Sequence, residues 1–150
     1  MFGRTLVPSW LLRRFYAPAA ERVSQGGDVH YHAVAPHGGL GRTDHIVDSY
    51  RPLLEAAKSN ARQVRLVGHS LGGVIAWALA HDHPDVVEIV EVWGAPRRGT
   101  AVAGFFRHIG AEARFLLPTS RWLRQYDKPL EGPVVRSVYT ACDVLVLPPQ

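Results

Sequence analysis

The chain has 150 residues, 47% of them apolar, and 17 basic against 13 acidic side chains give a net charge of +4. This is the length of one ordinary domain with enough apolar content for a real core; the single cysteine excludes an internal disulfide framework, and no run of about 18 apolar residues suggests a membrane span. The basic residues are scattered, in pairs such as Arg13-Arg14 and Arg97-Arg98, and no recognition motif accompanies them, so a solvated surface of mixed charge is expected and nucleic acid is not.

The apolar run from Leu6 to Leu12 is short, interrupted by Pro8 and followed by two arginines, which is a poor signal peptide and favours a cytoplasmic location. Ser9 caps a predicted helix with Leu11, Leu12, Phe15, Tyr16, Ala19 and Val23 at helical spacing; Pro18 interrupts or kinks it and Gly26-Gly27 ends it. Residues 28–34 alternate Val29, Tyr31 and Ala33 with His30 and His32, the pattern of a strand, and residues 36–41 form the loop after it. Thr43 or Asp44 opens a second helix carrying Ile46, Val47, Tyr50, Leu53, Leu54 and Ala57, bent by Pro52 and stopping near Asn60. A strand beginning at Val64 leads directly into a helix from Leu71 to about His81, which Pro84 closes, and residues 86–93 form the next strand. Residues 99–128 are apolar but irregular, and residues 133–140 form a last strand that delivers Asp143 just beyond its end. Strands alternating with helices predict an α/β domain, a mostly parallel sheet with helices on both faces.

The most informative stretch is Gly68-His69-Ser70-Leu71-Gly72, between an apolar strand and an apolar helix. It is the G-x-S-x-G pattern in the strand-turn-helix context its mechanics require. A serine on so tight a turn is forced into strained backbone angles, and small neighbours are needed where helix and strand pass closely, a clearance we assign to Gly68 and Gly72. The turn lifts the Ser70 hydroxyl to the top of the sheet, where the helix N-terminus aims its free N–H groups, and the Leu71 N–H is the expected oxyanion donor.

With these residues in view, the sequence resembles the α/β-hydrolase family, lipase and esterase branch. Besides the elbow, the likeness rests on Trp93-Gly94-Ala95-Pro96-Arg97-Arg98-Gly99-Thr100 after the next strand and on Ser137-Val138-Tyr139-Thr140-Ala141-Cys142-Asp143 at the last one. The resemblance implies that Ser70 is the nucleophile of an acyl-serine mechanism on carboxylic esters and that Asp143 orients the histidine base. It further implies a single partial hydrolase domain over residues 1–150 with a lid-like insertion at about residues 100–128. A small-molecule or lipid ester is the implied substrate, with no cofactor and no metal.

Two family features are missing from the residues that should carry them. All eight histidines precede Asp143, whereas the family order is Ser, then acid, then His. His69 adjoins Ser70 on the turn and is badly placed to face its hydroxyl, which leaves His37 as the least poor substitute. The family also places an oxyanion strand, ending in a His-Gly-type turn, before the first helix, and in the sheet between the strand at Asp28 and the elbow strand; here the chain begins Met1-Phe2-Gly3-Arg4-Thr5, and the expectation is that only the tail of that turn is present. The expectation is therefore the middle portion of a larger hydrolase, hydrolysing short esters below about one turnover per second, the low end of ordinary enzyme rates. The alternative is a non-catalytic remnant or interaction module that keeps the half-sheet and binds a partner, a second copy of the chain included, through its exposed apolar lid and sheet edges. His30, His32 and His37 lack an acidic or cysteine partner at fixed spacing, so they read as structural rather than metal-binding. His81 and His83 read as imidazoles favoured in partly positive form at a helix C-terminus, and Cys142 as a small core residue.

Overall fold

Three short β-branched runs assemble into one parallel sheet. The computed structural model describes residues 14, 16–19, 21–22, 43–100, 103 and 114–139. Its elements run α1 (Thr43–Ser59), β1 (Val64–His69), α2 (Leu71–Asp82), β2 (Val87–Trp93), α3 (Arg121–Arg124) and β3 (Val134–Val138). Residues 16–19 are also helical, as their periodicity predicts. The strand predicted at residues 28–34, with His30 and His32, lies outside the described residues, as does the loop that carries His37.

The strand order is β1-β2-β3 with both pairings parallel, so each connection crosses over the sheet; α2 supplies the first crossover. This is the predicted α/β arrangement, with helices flanking a parallel sheet.

α2 organises the core because it is apolar on every side. All eight residues from Gly73 to Ala80 are buried. One side packs on the sheet, where Val74, Ala76, Trp77 and Ala80 meet Val87, Val90 and Val92. The other side meets α1, where Ile75, Ala78 and Leu79 pack on Ile46, Val47 and Leu54. A helix covered on both sides has no need of a polar stripe, and the alanines at 76, 78 and 80 let its neighbours approach closely. α1, by contrast, shows the amphipathic pattern read from sequence and continues through the exposed Pro52 to Ser59. Leu53, expected among its inward residues, lies at the margin of the stripe and is 46% exposed.

The sheet face opposite α2 carries Arg65, Val67 and His69 of β1, Glu91 of β2 and Arg136 of β3 by strand alternation and register. Glu91 is buried, yet it sits between two guanidinium groups, bonded to Arg65 and, at 3.2 Å, to Arg136. Burial by itself would raise the pKa of its carboxyl; the hydrogen bond and charge of Arg65, then those of Arg136, outweigh that and hold it below the usual carboxylate range. One carboxylate thus cross-links all three strands. β3 is solvent-exposed along its whole length on both faces, Val134 and Val138 included.

Candidate active site

The elbow is built by backbone contacts alone. The Ser70 N–H donates to the Trp93 carbonyl at 2.9 Å, extending the β1–β2 ladder by one step, and the Ser70 carbonyl then accepts from Gly73 N at 3.0 Å and Val74 N at 3.3 Å, starting α2. Changing from strand to helix within a single residue forces Ser70 to φ 54°, ψ −123°. These are the angles of the first central residue of a type II′ turn, a place normally reserved for glycine because a Cβ is strained there. The predicted strain is present at the predicted residue.

Closeness around that turn explains two of the glycines. A Cβ on Gly68 would stand 2.2 Å from the Gly72 carbonyl oxygen, and one on Gly73 would stand 2.5 Å from Ala95 Cβ and 2.9 Å from the Gly68 oxygen. A Cβ on Gly72 would meet nothing within 4 Å. The clearance assigned from sequence to Gly68 and Gly72 is therefore supplied by Gly68 and Gly73. The reason is one of facing: Gly72 touches Gly68 through its carbonyl and turns its Cα hydrogens to open space, whereas Gly73 faces the loop after β2.

Ser70 is the N-cap of α2, but its hydroxyl makes no capping hydrogen bond, and the first turn holds no acidic residue. The Oγ is thus not consumed by the helix, and the positive end of the helix dipole is left without a compensating carboxylate. Leu71, the first helical residue, has an N–H without an intrahelical acceptor, beside the hydroxyl. A hydroxyl unspent on capping therefore sits at the N-terminus of an apolar helix, next to backbone N–H groups that lack intrahelical acceptors.

The described parts of the three segments singled out by sequence, the last of them through residue 139, meet at the same end of the sheet. His69, Trp93 and Val138 form one register row, and Gly94 N donates to the Val138 carbonyl at 2.7 Å. Gly94 itself takes φ 51°, turning the chain toward Ala95, which closes over Gly73. Beyond it Arg97 lies over the Trp77 ring, 4.3 Å from its centroid, with its guanidinium pKa pulled down chiefly by burial and then by the neighbouring Arg98. The chain leaves β3 from the row that ends in Ser70's neighbour; Asp143 and Cys142 lie outside the described residues.

Two histidines differ from their sequence reading or refine it. His69 turns to the first helical segment, where the Tyr16 hydroxyl lies 2.8 Å from its Nδ1, and among the described residues no hydrogen bond reaches Ser70 Oγ. Tyr16 was legible only as an apolar helix position; nothing in local spacing signals a contact 53 residues away. The surroundings of His81 oppose the partial positive charge expected at a helix C-terminus. Its ring packs edge-on to Trp77, with ring centroids 5.0 Å apart, and burial, then the charge of Lys128, lowers its pKa. His83, which is buried where His81 is only partly so, faces Glu55 at 3.6 Å.

A cleft of about 280 Å³ lined by Val47, Asp48, Arg51, Asp82, Trp122, Gln125 and Tyr126 lies at the C-terminal end of α2, away from Ser70. Among the described residues no group of three or more His, Cys, Asp or Glu side chains is arranged to hold a metal, and no helix is long and apolar enough to cross a membrane.

No protein-family model matches the chain. Among solved structures it is similar to a Bacillus licheniformis lipase, BlEst2. In the mature form the two share 17% identity over 63% of this chain and 45% of the lipase, with a TM-score of 0.46. In the propeptide form they share 19% identity over 65% of this chain and 24% of the other, with a TM-score of 0.42. The chain thus spans less than half of the lipase's length, and a likeness of this size adds nothing to what the elbow itself shows.

Proposed function

We propose that this chain carries the nucleophile of a serine hydrolase that cleaves carboxylic esters. The observation that carries the reading is Ser70, held at φ 54°, ψ −123° at the start of an apolar helix with its hydroxyl unspent on capping. A structural turn has no use for that strain, since glycine would make the same turn without it. In the reaction, Ser70 Oγ attacks the acyl carbon and its proton passes to an imidazole base. The Leu71 N–H takes part of the oxyanion charge, the alcohol leaves with the proton, and water releases the acyl group by the reverse route. By resemblance Asp143 orients the base. His69 is not assigned as that base: it adjoins Ser70 on the tight turn, its Nδ1 lies 2.8 Å from the Tyr16 hydroxyl, and among the described residues no hydrogen bond joins it to Ser70 Oγ.

The exposed apolar side chains of β3, Val134, Val135 and Val138, with Tyr139 just beyond its end, favour a second reading, an interaction module that docks on this strand. A fluorophosphonate probe separates the two. The hydrolase reading expects one adduct per folded chain, mapped to Ser70 by peptide mass, and none in Ser70→Ala. A folded chain that stays unlabelled while self-associating supports the second reading.

A further inference from the structure

Residues 114–130 strap across the C-terminal half of α2, and the joint is aromatic. Trp77 Nε1 donates to the Tyr126 carbonyl at 3.0 Å, Tyr126 and Trp122 stack edge-on at 5.2 Å, and Phe115 meets Trp122 at 5.9 Å. His81 is wedged into this joint, 5.0 Å from the Trp77 ring and 5.8 Å from that of Tyr126. Its ring hydrogen-bonds the Lys128 backbone, while its buried Nε2 has no partner among the described residues.

We propose that His81 is a proton-operated latch, which holds the 114–130 strap on α2 when neutral and releases it when protonated. A neutral imidazole suits the joint, since one nitrogen donates to the Lys128 backbone and the other carries only a lone pair. Protonation at Nε2 places a buried N–H with no acceptor against aromatic rings. The charges around it add to the effect. Lys128 of the strap and Arg97 of the loop after β2 both repel an imidazolium, and the one anion acting on it, Asp82 of its own helix, is already engaged by the Tyr126 hydroxyl at 3.3 Å and by Arg51 of α1 at 3.9 Å. The depressed pKa of His81, due first to burial, agrees with this geometry.

A histidine whose folded pKa lies below its unfolded value leaves the joint intact above about pH 6.5, and the joint is lost progressively as pH falls through the folded value. The strap also holds the loop after β2: the Thr100 N–H donates to the Leu116 carbonyl at 2.8 Å, and Gly99 lies against Pro118. Acid release would therefore loosen the loop after β2. The inference stands apart from the role of Ser70.

Hydrogen exchange on the full chain tests it. Protection factors of the amides at residues 116–126 are compared at pH 7.5 and pH 5 for wild type, His81→Phe and His81→Gln, with α1 amides as reference. Wild type should lose protection roughly tenfold at the lower pH, the size expected for one unpaired buried N–H, while both variants stay flat. If His81→Phe does not fold, His81→Gln decides. Unchanged wild-type protection, an equal loss in a variant, or a His81 imidazole that titrates at or above the ordinary histidine value overturns the proposal.

Discussion

Replacing Ser70 with glycine should make the protein more stable. An L-residue at φ 54°, ψ −123° pays for its Cβ with about 1–3 kcal/mol of backbone strain, which glycine does not feel. Against this, glycine adds freedom to the unfolded chain, worth about 0.4–1 kcal/mol. No capping bond is forfeited, because the Ser70 hydroxyl makes none. The net expectation is about 1 kcal/mol in favour of Ser70→Gly, or roughly 2–4 °C in Tm for a chain of this length. Ser70→Ala keeps the strain and loses only the hydroxyl, so it should melt within about 1 °C of wild type. Differential scanning calorimetry on the three proteins, each also tested for probe labelling, gives the comparison. The expected order is Ser70→Gly above Ser70→Ala and wild type, with labelling abolished in both variants. A Ser70→Gly protein that melts below Ser70→Ala would show that the backbone at residue 70 stores no strain, and the main argument for a dedicated nucleophile would fall.

The glycines give a paired test. Gly73→Ala puts a Cβ 2.5 Å from Ala95 Cβ and should cost about 1–3 kcal/mol, whereas Gly72→Ala adds its methyl to open space within a helix and should be neutral or gain up to about 1 kcal/mol; thermal melts that rank them the other way refute the assignment. Glu91→Gln leaves Arg65 and Arg136 facing a neutral amide in the sheet and should cost about 2 kcal/mol in urea denaturation, a modest value because Arg136 is more than half exposed. Since the folded pKa of Glu91 is depressed, its contribution is complete above the ordinary carboxylate range and disappears as pH falls through the folded value, so the stability gap between wild type and Glu91→Gln should close in acid.

The elbow supplies the clearest link from sequence to function. Gly68-His69-Ser70-Leu71-Gly72 is local, and local rules dictate its outcome: a strand cannot turn into a helix in one step without a strained residue, and the pattern names that residue. The β-branched runs and the helical periods of α1 and α2 were equally legible, because period and turn chemistry act over a few residues. Their ends agree with expectation to within a residue or two.

What sequence alone could not determine depended on which elements face one another. Gly72 and Gly73 are chemically identical neighbours, and only the position of Ala95 decides which of them must lack a Cβ. His81 reads as a helix-end cation until Trp77 and Tyr126 close over it, and Tyr16 reads as a packing residue until its hydroxyl meets His69. Glu91, unremarked in its strand, becomes a three-strand cross-link because register places it between two arginines. Sequence therefore determined the strand-turn-helix elbow, the alternation of strands and helices and the strain at Ser70. The tertiary structure decided clearance, protonation and cross-strand pairing, since each depends on atoms brought close by folding across more than twenty residues of chain.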